Sequence, residues 1–252
     1  MVKVIKDTER DLPNKHLIAQ QLQGTMDGPV DFSNDPDVDI IVSQYAWAAG
    51  DQMGGLKALD MEYGHRKAIE LNETDYYPEW YGEGNDKVAA SRVEAWEFIV
   101  GGGAGFNHLN GLYTVKNPGG RTGDNEMICR SLAALKVFMN SFDFIRMKPD
   151  RNFIIHGIPE GVFYSGMSEP GKQYSLYIHH GQRKKESYYF VSPGKYSENL
   201  VLSLPDGTYR ADWINPEDGR IIGIKTINVE KGNYTLSTPE YSVDIALRIR
   251  IK

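Results

Sequence analysis

Cysteine is almost absent from this sequence of 252 residues, which contains only Cys129. A single thiol excludes an internal disulfide, so cysteine usage leaves the redox compartment undetermined. The residues around Cys129 follow a helical pattern of apolar side chains. We therefore expect Cys129 to fill a buried position of a helix.

Long apolar runs and an excess of basic charge are absent as well. No run approaches the roughly 20 residues that cross a bilayer, and the charged beginning MVKVIKDTERDLPNKH does not resemble a signal peptide. The 28 Lys and Arg residues are outnumbered by 34 Asp and Glu residues, which gives a net charge of −6. This balance argues against nucleic acid or an anionic membrane surface as the main partner.

Aromatic residues are numerous, with 15 Tyr and 4 Trp. Such rings fill cores and strands, and exposed rings also stack on the faces of sugars, so composition alone leaves both roles open. The hydrophobic fraction of 40% and the charged fraction of 25% are ordinary for a globular protein. The length suffices for one large domain or two ordinary ones.

The first part of the chain alternates between strand-like and helical patterns. Strands are expected at residues 16–23, 38–47, 67–72 and 103–107, and helices at residues 1–11, 50–63, 86–100 and 125–144. Alternation of this kind predicts parallel βα units, and the helix at 86–100 is expected to be amphipathic. Four units make half of an eight-unit barrel, which takes about 250 residues by itself. Residues 1–149 are therefore predicted to form half of a (β/α)8 TIM barrel.

The pattern changes near residue 150. Short runs of alternating character follow, separated by turn dipeptides such as Pro-Gly at 170–171, Asp-Gly at 206–207 and Gly-Asn at 232–233. Strands at a spacing of about ten residues with no helical pattern are typical of an antiparallel sandwich. The predicted fold class is thus α/β plus all-β, with a half-barrel over 1–149 and a β-sandwich over 150–252.

Three stretches carry a resemblance to a known family. The sequence ELNE, which ends in Glu73, and residues 92–110 resemble the last two βα units of (β/α)8-barrel glycoside hydrolases, in particular the bacterial cellulase-like group with DUF4038-type barrels. Residues 208–220, TYRADWINPEDGR, resemble part of the C-terminal β-sandwich that follows such barrels, a domain labelled as the collagen-binding domain of a collagenase. Relatives of this kind are bacterial, and secretion or a periplasmic location is expected of the full-length ones.

The resemblance implies a catalytic role for Glu73 and a missing partner for it. In that family the seventh strand ends on the nucleophile, which matches Glu73, and the general acid/base ends the fourth strand. This sequence begins after the fourth strand, so the acid/base has no counterpart in it. A retaining mechanism needs two carboxylates about 5–5.5 Å apart, and Glu73 supplies one of them. Glu73 could instead be a solvated loop acid after a strand.

Aromatic and polar residues near the expected strand ends are candidates for sugar binding. Asn107 and His108 end the last strand at the same barrel face as Glu73, where groups that bind hydroxyls are expected. The aromatic residues could form a sugar platform or pack a loop onto the barrel rim. The candidates are Trp47, Tyr76, Tyr77, Trp80, Asn107 and His108.

No cofactor and no metal ion are expected. His179 and His180 have no carboxylate at ligand spacing in the sequence. The segment GGGAG at residues 101–105 follows a helix and enters a strand, the reverse of the order in a phosphate-binding loop. We expect these glycines to allow close packing of the last strand instead.

Two functions remain open. The first is a glycoside hydrolase whose barrel is completed by a second copy of the chain, as a homodimer, or by a chain that carries the first half of the barrel. Uncovered edge strands would otherwise favour aggregation. The second is a non-catalytic module that binds carbohydrate or protein and retains a remnant of the hydrolase site.

Overall fold

The computed structural model describes residues 2–22, 32–43, 54–74, 84, 86–108, 113–183, 189–230 and 232–252. Helices α1 to α4 and strands β1 to β15 follow one another as α1 (Val2–Glu9), β1 (Ala19–Leu22), β2 (Ile40–Ser43), α2 (Gly54–Glu62), β3 (Ala68–Thr74), α3 (Lys87–Val100), β4 (Gly105–His108), α4 (Gly123–Met139), β5 (Lys148–Pro149), β6 (Ile154–His156), β7 (Phe163–Glu169), β8 (Gln173–His179), β9 (Gly181–Arg183), β10 (Tyr189–Val191), β11 (Asn199–Ser203), β12 (Gly207–Ile214), β13 (Ile221–Val229), β14 (Asn233–Ser237) and β15 (Asp244–Ile251). Within the described ranges, no helix has the length and apolar character needed to cross a bilayer.

The first four strands form one parallel sheet in chain order, β1-β2-β3-β4. Ala19 of β1 lies opposite Ile40 of β2, and Ile40 lies opposite Ala68 of β3. Leu71 of β3 lies opposite Phe106 of β4. The parallel arrangement expected from the alternation of strands and helices is therefore confirmed for these strands.

Helix α3 connects β3 to β4 and is buried almost all round. Its first turn is capped by Asp86, whose carboxylate accepts a hydrogen bond from the backbone N–H of Ala89. Phe98 packs with Leu71 of the parallel sheet, while Trp96 faces the opposite way and stacks on Tyr177 of β8, with ring centroids 5.6 Å apart. The expectation of an amphipathic helix is wrong here, because both sides of α3 are covered by protein.

The remaining strands form antiparallel sheets. Six strands associate in the order β13-β12-β15-β8-β7-β5, three in the order β14-β11-β6, and β9 pairs with β10. A hydrophobic core joins the six-stranded and three-stranded sheets; its fully buried members include Leu176, Tyr209 and Leu247 from the first and Leu200 and Leu202 from the second.

The other face of the six-stranded sheet packs against helices α3 and α4. Tyr177 and Ala246 of the sheet share a core cluster with Trp96 of α3 and Phe138 of α4. The indole N–H of Trp96 donates a hydrogen bond of 3.0 Å to the hydroxyl of Ser131 on α4. A continuous packed interior thus extends across residue 150, the predicted boundary between domains.

The glycine-rich segment before β4 is shaped by close packing. A Cβ atom on Gly103 would lie 2.3 Å from the ring of Phe98, and one on Gly101 would lie 2.8 Å from the carbonyl oxygen of Glu97. Such distances leave no space for a side chain. The expectation that these glycines serve the packing of the last parallel strand is confirmed.

Three details differ from the sequence-based expectations. Glu73 belongs to β3, which continues to Thr74, instead of following the strand. Helix α4 begins at Gly123, two residues earlier than expected, and ends at Met139. Cys129 lies on the exposed side of α4, so its predicted burial is wrong. Apolar side chains recur at core spacing on both sides of Cys129, and the thiol falls between them.

Candidate functional site

The carboxyl ends of β3 and β4 lie side by side and bring three of the predicted site residues together in the backbone. Glu73 is the penultimate residue of β3, and Asn107 and His108 end β4. Thr74, directly after Glu73, lies opposite His108. The structure describes the backbone of Glu73, and the side chain of Glu73 lies outside the described part.

A β-bulge interrupts the pairing of these two strands beside Glu73. Leu71 is opposite Phe106 and Thr74 is opposite His108, so Asn72 and Glu73 of β3 share the single residue Asn107 of β4. An extra residue on one strand kinks it and re-aims its side chains, and such bulges are frequent next to active sites. The bulge therefore sets the direction of the chain at Glu73.

The side chain of Asn107 occupies the irregular part of the ladder. Its Nδ2 donates a hydrogen bond of 3.0 Å to the backbone carbonyl of Asn72. This contact gives a partner to a carbonyl at the position where the regular strand pairing is interrupted. Asn107 thus holds the shape of the bulge that contains Glu73.

His108 is held from the side of helix α4. Its Nε2 lies 3.0 Å from Oδ1 of Asn125, and the ring of Tyr113 meets it edge-on, with centroids 6.4 Å apart. Asn125 is 2% exposed and donates from Nδ2 to the carbonyl of Gly120, at 2.7 Å, and to the hydroxyl of Tyr113, at 3.2 Å. The three side chains form one connected polar group beside Glu73.

The loop before α4 requires glycine at position 120. Gly120 has φ +55°, and a Cβ atom there would lie 2.6 Å from the ring of Tyr113 and 2.8 Å from Nδ2 of Asn125. The hydroxyl of Thr122 then caps α4 by accepting from the backbone N–H of Asn125 at 3.2 Å. The loop and the cap together fix the position of the side-chain amide of Asn125, which contacts His108.

Sequence reasoning missed Tyr113 and Asn125. The expected helix began at Asn125 itself, so this residue was treated as a helix start. A Thr-x-x-Asn sequence before an apolar helical run signals a cap at Thr122, and the polar residue in the first turn is then free to face inward. That signal places Asn125 on α4, but it does not identify His108 as its partner.

The aromatic candidates Trp47, Tyr76, Tyr77 and Trp80 lie outside the described residues, which end at Ser43 and Thr74 before these segments. Their role in sugar binding stays a prediction. The described part of the site therefore consists of the backbone at Glu73 together with Asn107, His108, Tyr113 and Asn125.

The two adjacent histidines have carboxylate partners that the sequence did not reveal. Nε2 of His179 lies 2.9 Å from Oε1 of Glu97 on α3, and Nε2 of His180 lies 3.3 Å from Oε1 of Glu198. Both pairs are buried. Across the described ranges, His, Cys, Asp and Glu side chains do not gather in threes in a way that would hold a metal ion.

A further buried ion pair joins α3 to β15. Nε and Nη2 of Arg92 donate to the carboxylate of Asp244 at 2.8 and 3.1 Å, and the hydroxyl of Tyr177 donates to the same carboxylate at 2.6 Å. Burial by itself lowers the pKa of Arg92, but the adjacent carboxylate outweighs it and raises the pKa above its ordinary value. The guanidinium therefore stays charged, and the pair serves the contact between helix and sheet.

A groove of about 480 Å³ lies elsewhere on the molecule, lined by residues that include Leu59, Tyr63, Gly101 and Arg151. Gly101 precedes β4, so the groove is at the amino ends of the parallel strands, opposite the end that carries Glu73. Sites in barrels of parallel strands lie at the carboxyl ends. Because of its location, we do not take this groove as the candidate site.

Comparison with known proteins gives structural similarity only. No protein-family model and no curated protein sequence matches the chain. Solved structures do match: a glycoside hydrolase of family 5 from Bacteroides vulgatus has a TM-score of 0.63 at 14% identity, over 99% of this chain and 58% of the other. A protein described as a glycoside hydrolase has a TM-score of 0.59 at 14% identity, over 88% of this chain and 54% of the other.

A family 30 endoxylanase from Clostridium papyrosolvens shows the same relation, with a TM-score of 0.54 at 10% identity, over 100% of this chain and 60% of the other. The chain thus spans little more than half the length of these structures. Identities this low establish a common fold and leave the chemistry open. The chain has a glycoside hydrolase-like fold, of which it represents a part.

Proposed function

We propose that this chain acts on carbohydrate as the C-terminal part of a retaining glycoside hydrolase, with Glu73 as its nucleophile. Residues 1–149 would correspond to strands five to eight of a (β/α)8 barrel of the DUF4038 type. Residues 150–252 would be the β-sandwich that follows it. The observation that carries the proposal is the position of Glu73, inside a bulge at the carboxyl end of a parallel strand in a glycoside hydrolase-like fold.

In this proposal the surrounding residues bind the sugar. Asn107 and His108 lie at the same end of the sheet as Glu73 and carry groups that hydrogen-bond hydroxyls. Trp47, Tyr76, Tyr77 and Trp80 would supply the apolar faces on which sugar rings stack. A family 30 neighbour is an endoxylanase, so xylan oligosaccharides belong among the first ligands to be screened.

In this proposal the second carboxylate comes from outside these 252 residues. Among the described strands, β1 and β4 each have a single neighbour in the parallel sheet, and such edges offer backbone groups for further pairing. A second copy of the chain, or a polypeptide carrying strands one to four, would cover these edges. It would also place a carboxylate opposite Glu73 to act as general acid/base.

Glu73 can be tested as a nucleophile without the acid. A dinitrophenyl glycoside fluorinated beside the anomeric carbon has a leaving group that departs without protonation, and the fluorine slows hydrolysis of the glycosyl-enzyme. We expect a covalent adduct on the peptide that contains Glu73, detected by mass spectrometry, and none in Glu73→Gln. The experiment should be run with both pentosyl and hexosyl reagents. An adduct on another residue, or equal labelling of the wild type and Glu73→Gln with every reagent, contradicts the assignment.

A non-catalytic binding module is the alternative, and it is favoured if, as the family resemblance implies, the acid/base has no counterpart in this chain. Such a module would bind oligosaccharides but would not form the adduct. Light scattering coupled to size exclusion distinguishes a monomer from a dimer, because the monomer mass is 28.4 kDa. A dimer supports completion by a second copy, whereas a monomer that binds sugar without forming the adduct supports the binding module.

A further inference from the structure

The side-chain amide of Asn125 has a defined orientation. The carbonyl of Gly120, 2.7 Å away, can only accept a hydrogen bond, so the atom that faces it must be the amide nitrogen. The same nitrogen donates to Tyr113 at 3.2 Å. The oxygen of the amide is therefore the atom that faces His108 at 3.0 Å.

This orientation selects one form of the histidine ring. An amide oxygen accepts and cannot donate, so the Nε2 atom that it faces has to carry the hydrogen. In the other neutral form, two lone pairs would face each other inside a nearly closed contact, since Asn125 is 2% exposed. The hydrogen bond made by one ring nitrogen in this way sets the role of the other.

We infer that Asn125 is a positioning residue that holds His108 as the Nε2–H tautomer, so that Nδ1 is the hydrogen-bond acceptor of the ring. Nδ1 is itself buried, so this acceptor faces the protein, and any effect on the proposed sugar site, which rests on the proposed function, would be exerted through the orientation of the ring. The hydroxyl of Tyr113, which accepts from Asn125, also lies 3.6 Å from Sγ of Cys129. One amide thus sets the form of the His108 ring and contacts the phenol packed beside it.

The surroundings keep this arrangement in place without a ligand. Asn125 lies in the first turn of α4, where the hydroxyl of Thr122 accepts from its backbone N–H. The positive φ of Gly120 brings its carbonyl to the amide, and the ring of Tyr113 packs edge-on against His108. The inference therefore concerns the protein alone, and the tautomer of His108 can be measured in the absence of substrate.

Nitrogen NMR of the ¹⁵N-histidine-labelled full chain is the decisive experiment, with the His108 signals assigned by their loss in His108→Gln. At a pH where the ring is neutral, we expect the Nε2–H pattern in the wild type, and in Asn125→Ala a shift of at least several-fold toward the other tautomer. Asn140→Ala, an asparagine at the far end of α4, is the matched control and should leave the pattern unchanged. A wild-type Nδ1–H ring, or an unchanged ratio in Asn125→Ala, overturns the inference.

A second variant covers the possibility that Asn125→Ala does not fold. Asn125→Asp keeps the size of the side chain and presents only acceptor oxygens to Nε2, so the His108 ring should keep the Nε2–H pattern in this variant. Loss of that pattern in Asn125→Asp would contradict the contact. If the tautomer result holds and no sugar binds, the proposed function fails while the inference about the ring stands.

Discussion

Asn107 donates its side-chain hydrogen bond to the backbone carbonyl of Asn72 across 3.0 Å, at the point where β3 carries one residue more than β4. The contact joins the two strands next to Glu73. A regular ladder would give the backbone at residue 73 a different direction, since a bulge bends the strand that carries it. The geometry at Glu73 therefore depends on a neighbour on another strand.

The first prediction concerns Asn107→Ala. Loss of this partly solvated hydrogen bond should reduce the free energy of unfolding by about 1 kcal/mol, measured by urea denaturation. It should also reduce labelling of Glu73 by the fluorinated glycoside. Asn233→Ala, an exposed asparagine of β14, is the control for stability. Labelling of Asn107→Ala at the wild-type rate would show that the bulge does not need this contact.

The second prediction concerns the buried pair of Arg92 and Asp244. Asp244→Ala leaves the guanidinium buried without its carboxylate, which should cost about 3–5 kcal/mol of unfolding free energy. Glu217 also approaches Arg92, at 3.5 Å, but its side chain is 61% exposed. Glu217→Gln should therefore cost less than about 1 kcal/mol. Equal losses in the two variants, measured by chemical denaturation, would contradict the described burial.

The third prediction concerns acid stability and Asp212. Burial raises the pKa of this carboxyl group, but hydrogen bonds from Arg210 and Arg248 outweigh burial and hold the pKa below its usual value. A group whose pKa is lower in the folded state binds protons more readily when unfolded, so its contribution to stability is present at neutral pH. That contribution is lost as the pH falls below about 4.

The role of Asp212 can be tested by measuring the urea midpoint of unfolding at a series of pH values from neutral to acidic. Asp212→Asn should be less stable than the wild type at neutral pH, and the difference should shrink in acid because the wild-type carboxylate becomes protonated. Glu240→Gln alters an exposed acid whose lysine partner is exposed as well, so this variant should follow the wild-type curve throughout. A difference between Asp212→Asn and wild type that is constant with pH would rule out the carboxylate as its source.

The fourth prediction concerns Cys129. Because the structure places it on the exposed side of α4, its thiol should react with a disulfide reagent in the native protein, with a stoichiometry of one per chain. Burial would instead restrict the reaction to denaturant. Cys129→Ser is the control and should give no signal under either condition.

Local patterns predicted the succession of parallel strands because β-branched runs and turn residues act over short distances. Residues 40–43, 68–74 and 105–108 were all anticipated within a few positions. The bulge at Asn72 and Glu73 was not, since it arises from the registration of two strands against each other. Local pattern does not report such a difference of one residue.

Local sequence patterns did not predict the buried polar contacts either. His179 meets Glu97 from 82 positions away, and Arg92 meets Asp244 from 152 positions away. Their sequence neighbourhoods gave no sign of these partners, and the histidine pair was taken to have none. The same holds for Asn125 and His108, which are 17 residues apart and whose contact depends on the backbone conformation of Gly120.

Helix α3 lies between two sheets and is covered on both sides. This packing limits the exchange of either part of the chain for an unrelated sequence by gene recombination. A unit joined by an exposed linker can be exchanged between genes with little effect on its neighbour. Here an unrelated sheet in place of residues 150–252 would have to supply a carboxylate for Arg92, a partner for Glu97 and a ring for Trp96. The two parts of the chain are thus expected to be inherited together, with substitutions in α3 accompanied by matching substitutions in β8 and β15.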